Sequence, residues 1–526
     1  MSKLAAAGIA AALALWSAEG ACQGGPDALD SLLGPAPAAD TAAQPAPAPP
    51  ARPPAPAPVA APEAPAASAA PVPLPDAATA AAPRARGPST IEEIVVTAQK
   101  REESINNVPL AISAFSGSDL KALGINDTRD LGNLVPGFTY GDSGYGVPVY
   151  SIRGIGFNDP SETASSTVGI YNDEFNLPFP VFSKGGNLDL SRVEILKGPQ
   201  GTLYGRNTTG GLVNYIANKP TESFEAGGNI GYARFDVIDG EGHVSGPLTG
   251  TLRARLAYRG TFSNEGWQYS NTRPDDTLGK QRKQSGRATL EWRPLDSLTT
   301  TLTLSGWTDH SQPQAPQAIA IQPQNATVGA LALAPEVAEY PLVPFDSQDN
   351  RVADWAPGQD YHLAEKFGMA GLRSDWHFAE NHTLSLLTAY ENFDIDHSFL
   401  PQTGLNSLNT DREMVDHTNA DEVELRLSGD PSDSFHYLAG LYYSHDRVND
   451  FNRIYIDSNS AVYPLPLAGP VFVQIQPLLN LLGITGPLPT VGDLLTNRVD
   501  ASGIQVADTE AAFLNGDWRF APEWKA

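Results

Sequence analysis

The side chains of this chain that could do chemistry are scattered, and their spacing rules out most of the reactions they could support. The nine histidines fall in no His-Glu-x-x-His or other helical metal pattern. No Gly-x-Ser-x-Gly elbow, no phosphate-binding loop and no carboxylate pair placed across a cleft can be read from the sequence, so neither acyl transfer nor phosphoryl transfer is indicated. Gly154-Ile-Gly156 lacks the rest of the dinucleotide fingerprint and its helix. Cys22 is the single cysteine, which excludes a disulfide or a cysteine metal cluster within the chain. Acidic loops could attract cations, but such runs are usually solvated faces. The reading is a non-enzyme with no cofactor and no metal site.

Composition narrows the class. With a formal net charge of -26 over 526 residues, the chain lacks the basic footprint that nucleic acid requires. Its 48 glycines and 17 tyrosines suit a turn-rich, mainly β protein. No apolar stretch beyond the N-terminus approaches the roughly 18 residues of a spanning helix, so any membrane span must be a barrel. Lys3, the apolar run Leu4 to Trp16 and the small residues Ala18, Gly20 and Ala21 read as a secretory signal peptide over 1–21. Ala21-Cys22 is alternatively a lipoprotein cleavage pair, which Glu19 disfavours. Residues 22–90 are an Ala/Pro-rich linker with no periodicity from which to build a core.

Beyond the linker come short elements. Ser118 to Gly124 has a helix cap and a glycine stop, and Asp127 to Pro136 has a similar start with a proline end. The apolar strand Val193 to Leu196 then enters Gly198-Pro199. Seven glycine or proline positions from Gly198 to Pro220 force tight bends there. After Pro220 the pattern becomes strict two-residue alternation. Leu252, Ala254, Leu256, Tyr258 and Phe262 oppose Arg253, Arg255 and Arg259, and the pattern recurs at Ala288, Leu290 and Trp292, at Val423, Leu425 and Leu427, and at Ala512, Leu514 and Trp518. A soluble sandwich would alternate in the same way. Tight turns at Gly246 to Gly250, Arg293 to Ser297, Phe378 to Asn381 and Gly429 to Ser434 alternate with long connections near 264–283, 309–363, 396–420 and 457–503. That asymmetry is the habit of outer-membrane barrels. Trp292, Trp307, Trp376 and Trp518 are candidates for interfacial girdles.

The run Arg192 to Pro220, together with Ser151-Ile-Arg-Gly-Ile-Gly156 and Val168-Gly-Ile-Tyr-Asn-Asp-Glu-Phe175, resembles the plug signature of TonB-dependent outer-membrane receptors, and the resemblance spans about Ile91 to Pro220. It implies an N-terminal α+β plug domain over 99–220 and an antiparallel transmembrane β-barrel over 221–526. It further implies a receptor that takes up a scarce nutrient, a ferric siderophore first, with cobalamin, saccharides or aromatic compounds as the alternatives. A soluble ligand-binding protein is the reading from another class, and a signalling role is weakened because nothing upstream of the plug has a foldable pattern. The implied partners are the TonB complex, outer-membrane lipid and the ligand, bound between the barrel loops and plug loops near Gly141 to Pro148 and Phe157 to Thr167.

Ile91-Glu92-Glu93-Ile94-Val95-Val96-Thr97-Ala98 resembles the TonB box, a β-prone run able to add a strand to a partner's sheet. The family's plug latch maps onto Arg153 and Lys197, with Glu424 as barrel partner. A lysine at 197 in place of the usual arginine loses the bidentate fork. About ten alternating segments follow Phe224, against about 22 strands in barrels that hold a plug. The expectation is therefore a barrel present only in part, a fragment of a longer receptor.

Overall fold

The computed structural model describes residues 95–525 apart from 102, 126–127, 144–145, 160–163, 186–187, 272, 318–348, 356–357, 402–409, 433, 457–497 and 522–523. The signal peptide, the linker and Ile91 to Ile94 lie outside the described residues.

A five-stranded plug sheet runs in the order Ile112–Ser116, Leu190–Lys197, Gly211–Ala217, Val168–Asn172 and Phe175–Leu177. Only the pair of Gly211–Ala217 with Val168–Asn172 is parallel. Every residue of Gly211–Ala217 is buried, as expected of a central strand covered on both faces. The bends of the glycine-rich run are real: Gly198, Gly205 and Gly211 have φ of 108°, 77° and 138°, a region L side chains rarely enter. The helix expected from Ser118 runs over Gly117–Ala122, and its cap is Ser116 rather than Ser118. Ser116 Oγ accepts from the Asp119 N–H at 3.1 Å while the Asp119 carboxylate accepts from the Ser116 N–H at 3.2 Å, a reciprocal capping box.

From Glu225 onward an eleven-stranded antiparallel sheet curves around the plug, from Glu225–Ala233 through Arg498–Ala521 to the short Trp524–Lys525. The expected tight turns join Val237–Pro247 to Leu252–Ser263, Arg282–Leu295 to Leu298–Asp309, Glu365–Ala379 to His382–Pro401, and Thr410–Ser432 to Phe435–Ile456. At the far ends the connections are mostly long. The expected loop at 396–420 is shorter than the sequence indicated, because the flanking strands run on to Pro401 and resume at Thr410. Those strands, 20 and 23 residues long, exceed the roughly 9–11 residues a bilayer needs, so their surplus stands beyond it on the long-loop side. Among the described residues the sheet does not close, and the count of about ten segments becomes eleven strands.

Alternation sorts the wall into two chemistries. Ile230, Tyr258, Trp292, Trp376, Leu441, Leu514 and Trp518 face outward and exposed, as an apolar lipid face requires. Trp307 is the exception among the girdle candidates. It points inward, 7% exposed, because its Nε1 donates to the Phe182 carbonyl at 3.0 Å and its ring stacks on Phe367 at 6.0 Å. Phe182, in the plug turn Pro180–Gly185, packs on Phe367 and Phe393 at 5.0 and 5.8 Å. Gly185 permits this approach, since a Cβ there would come within 2.3 Å of the Trp307 ring. Plug and wall thereby share one apolar core. Replacing Phe182 by alanine is expected to cost about 3–5 kcal/mol, checked as a lowered denaturant midpoint for loss of plug protection against protease.

Candidate functional site: the plug and wall interface

The site grows from a rule of burial. An inward charge on the wall, once the plug excludes water, must find a partner or pay a large desolvation cost. The plug supplies the partners. Glu174, at φ 72° in the turn between Val168–Asn172 and Phe175–Leu177, accepts from Arg373 Nη1 at 2.8 Å with one oxygen and from Arg426 Nη1 at 2.7 Å with the other. Burial alone would raise its pKa, but the two guanidiniums override that and hold it well below the usual carboxylate range. Arg426 also donates through Nε to Glu424 at 2.8 Å, and Glu424 receives the Lys100 ammonium at 2.7 and 3.0 Å. Burial and then Arg426 lower the Lys100 pKa, while Glu424 pulls it back.

Other bonds ring this chain of charges. Arg255 grips Asp189 with a two-pronged contact at 2.5 and 2.7 Å, the planar fork that suits a carboxylate. Arg287 Nη1 donates to the Leu188 carbonyl at 2.7 Å, the Asn176 N–H donates to Glu422 at 3.0 Å, and Lys184 meets Glu365 at 2.8 Å. Arg206 pairs with Asp446, and Arg101 with Asp517 at 2.7 Å.

Of the residues named for the latch, Arg153 and Lys197 lie near each other, but Glu424 bonds to other partners. Glu424 does face the plug, but its partners are Lys100 and Arg426. Lys197 Nζ donates to the Pro136 carbonyl at 3.1 Å, with burial and then Arg153 lowering its pKa, and Arg153 is exposed. The sequence reading missed Glu174, Asp189, Arg373 and Arg426. The available signal was arginine on the inward face of the alternation, as at Arg255, which periodicity places there without saying what meets it.

The segment expected as the TonB box is described from Val95 on. Val95–Val96 pairs with Glu103–Ser104, and Thr97 to Lys100 turn back with the Lys100 N–H donating to the Thr97 carbonyl at 2.9 Å. Val95 is 42% exposed, whereas Val96 and Ala98 are fully buried among Tyr171, Tyr204 and Leu438. The loops expected to meet a ligand are described only in part, with Phe157 exposed.

Replacing Glu174 by alanine leaves two guanidiniums facing each other and is expected to cost about 3–5 kcal/mol of plug attachment. Because its folded pKa is depressed, its contribution is fully present above its ordinary 4.5 and is lost as pH falls from there toward the lower folded value. Unfolding midpoints measured across that window should fall in the parent and fall less in Glu174→Gln.

A family profile described as TonB-dependent Receptor Plug Domain matches residues 104–212. The iron-regulated outer membrane virulence protein of Vibrio cholerae serotype O1 is 31% identical over 132 residues, covering 23% of this chain and 19% of that protein. The ferripyoverdine receptor of the Pseudomonas aeruginosa outer membrane superposes with a TM-score of 0.55 at 14% identity over 81% of this chain and 52% of that one. The siderophore receptor PiuA of Acinetobacter baumannii gives 0.54 at 14% identity, over 80% and 57%. The chain spans little more than half the length of these two receptors. It carries the plug domain of the TonB-dependent receptors against part of a barrel wall of their fold, and its place is the outer membrane.

Proposed function

We propose that the protein takes up a ferric siderophore across the outer membrane, driven by a TonB complex that grips Ile91 to Ala98. One observation carries this reading. The strap 95–100 is tied both to the plug, through Thr97 and Glu194 at 2.8 Å, and to the wall, through Lys100 and Glu424 at 2.7 Å. Force on the segment ahead of it therefore acts first on the contacts that hold plug to wall. The attachment is also lopsided. The strap reaches the wall through ion pairs and Leu438 and Phe513, whereas the plug turn at Phe182 is fixed by the shared aromatic core. A pull that frees the strap thus leaves that turn in place.

The siderophore assignment is supported by the relatives, of which one is named a ferripyoverdine receptor, one a siderophore receptor and one an iron-regulated outer membrane virulence protein. The reading includes further strands that close the wall, because the edge strand Glu225–Ala233 leaves backbone groups that lipid cannot satisfy. In the complete receptor, Val95→Pro removes a ladder donor and fixes φ. It is expected to abolish energised uptake of a radiolabelled ferric siderophore while leaving surface binding intact. Unchanged uptake would contradict the role given to the segment, and uptake of no ferric siderophore by the parent would contradict the substrate class.

A further inference from the structure

The strap fills a slot whose floor is one row of residues across four plug strands: Ala114, Glu194, Asn214 and Tyr171. Residues paired directly in register share a face, so this row lies under Val96 to Ala98. Glu194 is fully buried. It accepts from the Thr97 N–H at 2.8 Å, from the Thr97 hydroxyl at 3.1 and 3.2 Å, and from Arg192 Nε at 2.7 Å. The Tyr204 hydroxyl donates to the Thr97 carbonyl at 3.1 Å. Thr97 is therefore held at its N–H, its hydroxyl and its carbonyl.

The neighbouring position behaves oppositely. Asn214 is as buried as Glu194, yet neither its amide nitrogen nor its amide oxygen has a hydrogen-bond partner among the described residues. A buried amide without partners is destabilising, and it regains its hydrogen bonds as soon as water reaches it. The slot thus contains one group that stabilises the strap in place and, next to it, one whose cost is relieved when the strap leaves.

We infer that Glu194 is the positioning residue that stores the strap and that Asn214 biases the slot toward opening, so that the two polar side chains line a wetted path once the strap has been drawn out. This rests on reading the strap as the part that moves. Closure depends on the hydrogen bonds from Thr97 to the Glu194 carboxylate. Opening exposes Glu194, still paired with Arg192, together with Asn214, giving a hydrogen-bonding wall between Tyr171 and Ala114. The stored cost at Asn214 keeps the closed state from being deeper than a pull can reverse.

The test is the rate at which a buried strap cysteine reacts with a water-soluble maleimide in outer membranes carrying the complete protein, from cells lacking TonB. Ala98→Cys is the reporter, in a Cys22→Ser background because Cys22 is the single cysteine. Glu194→Gln should speed labelling at least about tenfold, and Thr97→Val should speed it less, since the backbone N–H still donates. Asn214→Leu, or the smaller Asn214→Val if leucine overpacks, should slow it. General damage to the plug would speed labelling in every variant, so the opposite signs separate the inference from simple destabilisation. Protease resistance of the plug core serves as the folding control. No change in Glu194→Gln, or faster labelling in both Asn214 variants, would overturn the inference. Since TonB is absent, an error in the TonB-box assignment would appear in the Val95→Pro uptake assay and leave these rates untouched.

Discussion

Glu174 accepting two arginines of the wall is the contact on which the arrangement depends. It sits at a plug turn, is buried, and joins Arg373 and Arg426 on strands Glu365–Ala379 and Thr410–Ser432. Those arginines exist because of a constraint from the other side of the wall. In lipid the outward face must be apolar, so alternation turns the polar residues of a spanning stretch inward. A lumen lined with charge is then tolerable only if water or a complementary plug fills it. The plug answers with carboxylates, cations and backbone groups of its own, and the Lys100 to Glu424 to Arg426 to Glu174 chain carries that complementarity down to the strap.

The attachment has two textures with different mechanical consequences. Around Phe182 the contact is aromatic, with Trp307, Phe367 and Phe393 packed on a turn that only Gly185 lets approach so closely. Such contacts are short-ranged and do not weaken until they separate. Near the strap the contact is ionic and hydrogen-bonded, with exchangeable partners that water can replace. A plug built this way can loosen locally without leaving the wall. The opposed roles assigned to Glu194 and Asn214 place the balance between holding and release within a single row of the plug sheet.

Much of the architecture was legible in the sequence because it rests on local signals. Alternation from Thr251 to Phe262 placed Arg255 inward, and the turn residues at 246–250 and 429–434 placed the hairpins. The glycines at 198, 205 and 211 marked bends that the backbone does make. What the sequence hid was pairing at long range. Lys100 and Glu424 are 324 positions apart, and nothing local to either tells which inward carboxylate meets which plug cation. Trp307 failed for the same reason. An aromatic near a strand end suits an interfacial girdle, and only the inward parity of its strand, with Phe182 waiting opposite, turns it into core. The strap reads as a β-prone run able to join a partner's sheet, and nothing local shows that Val96 and Ala98 are fully buried.

Plug and wall are interlocked by buried charge, and a double-mutant cycle on Glu174 and Arg426 tests this most directly. Stabilities of the parent, Glu174→Gln, Arg426→Met and the double variant, measured in membranes of the complete receptor, give the coupling between the two side chains. A coupling of about 1–3 kcal/mol is expected, with the double variant more stable than the sum of the single changes implies. A coupling indistinguishable from zero would contradict the interlock.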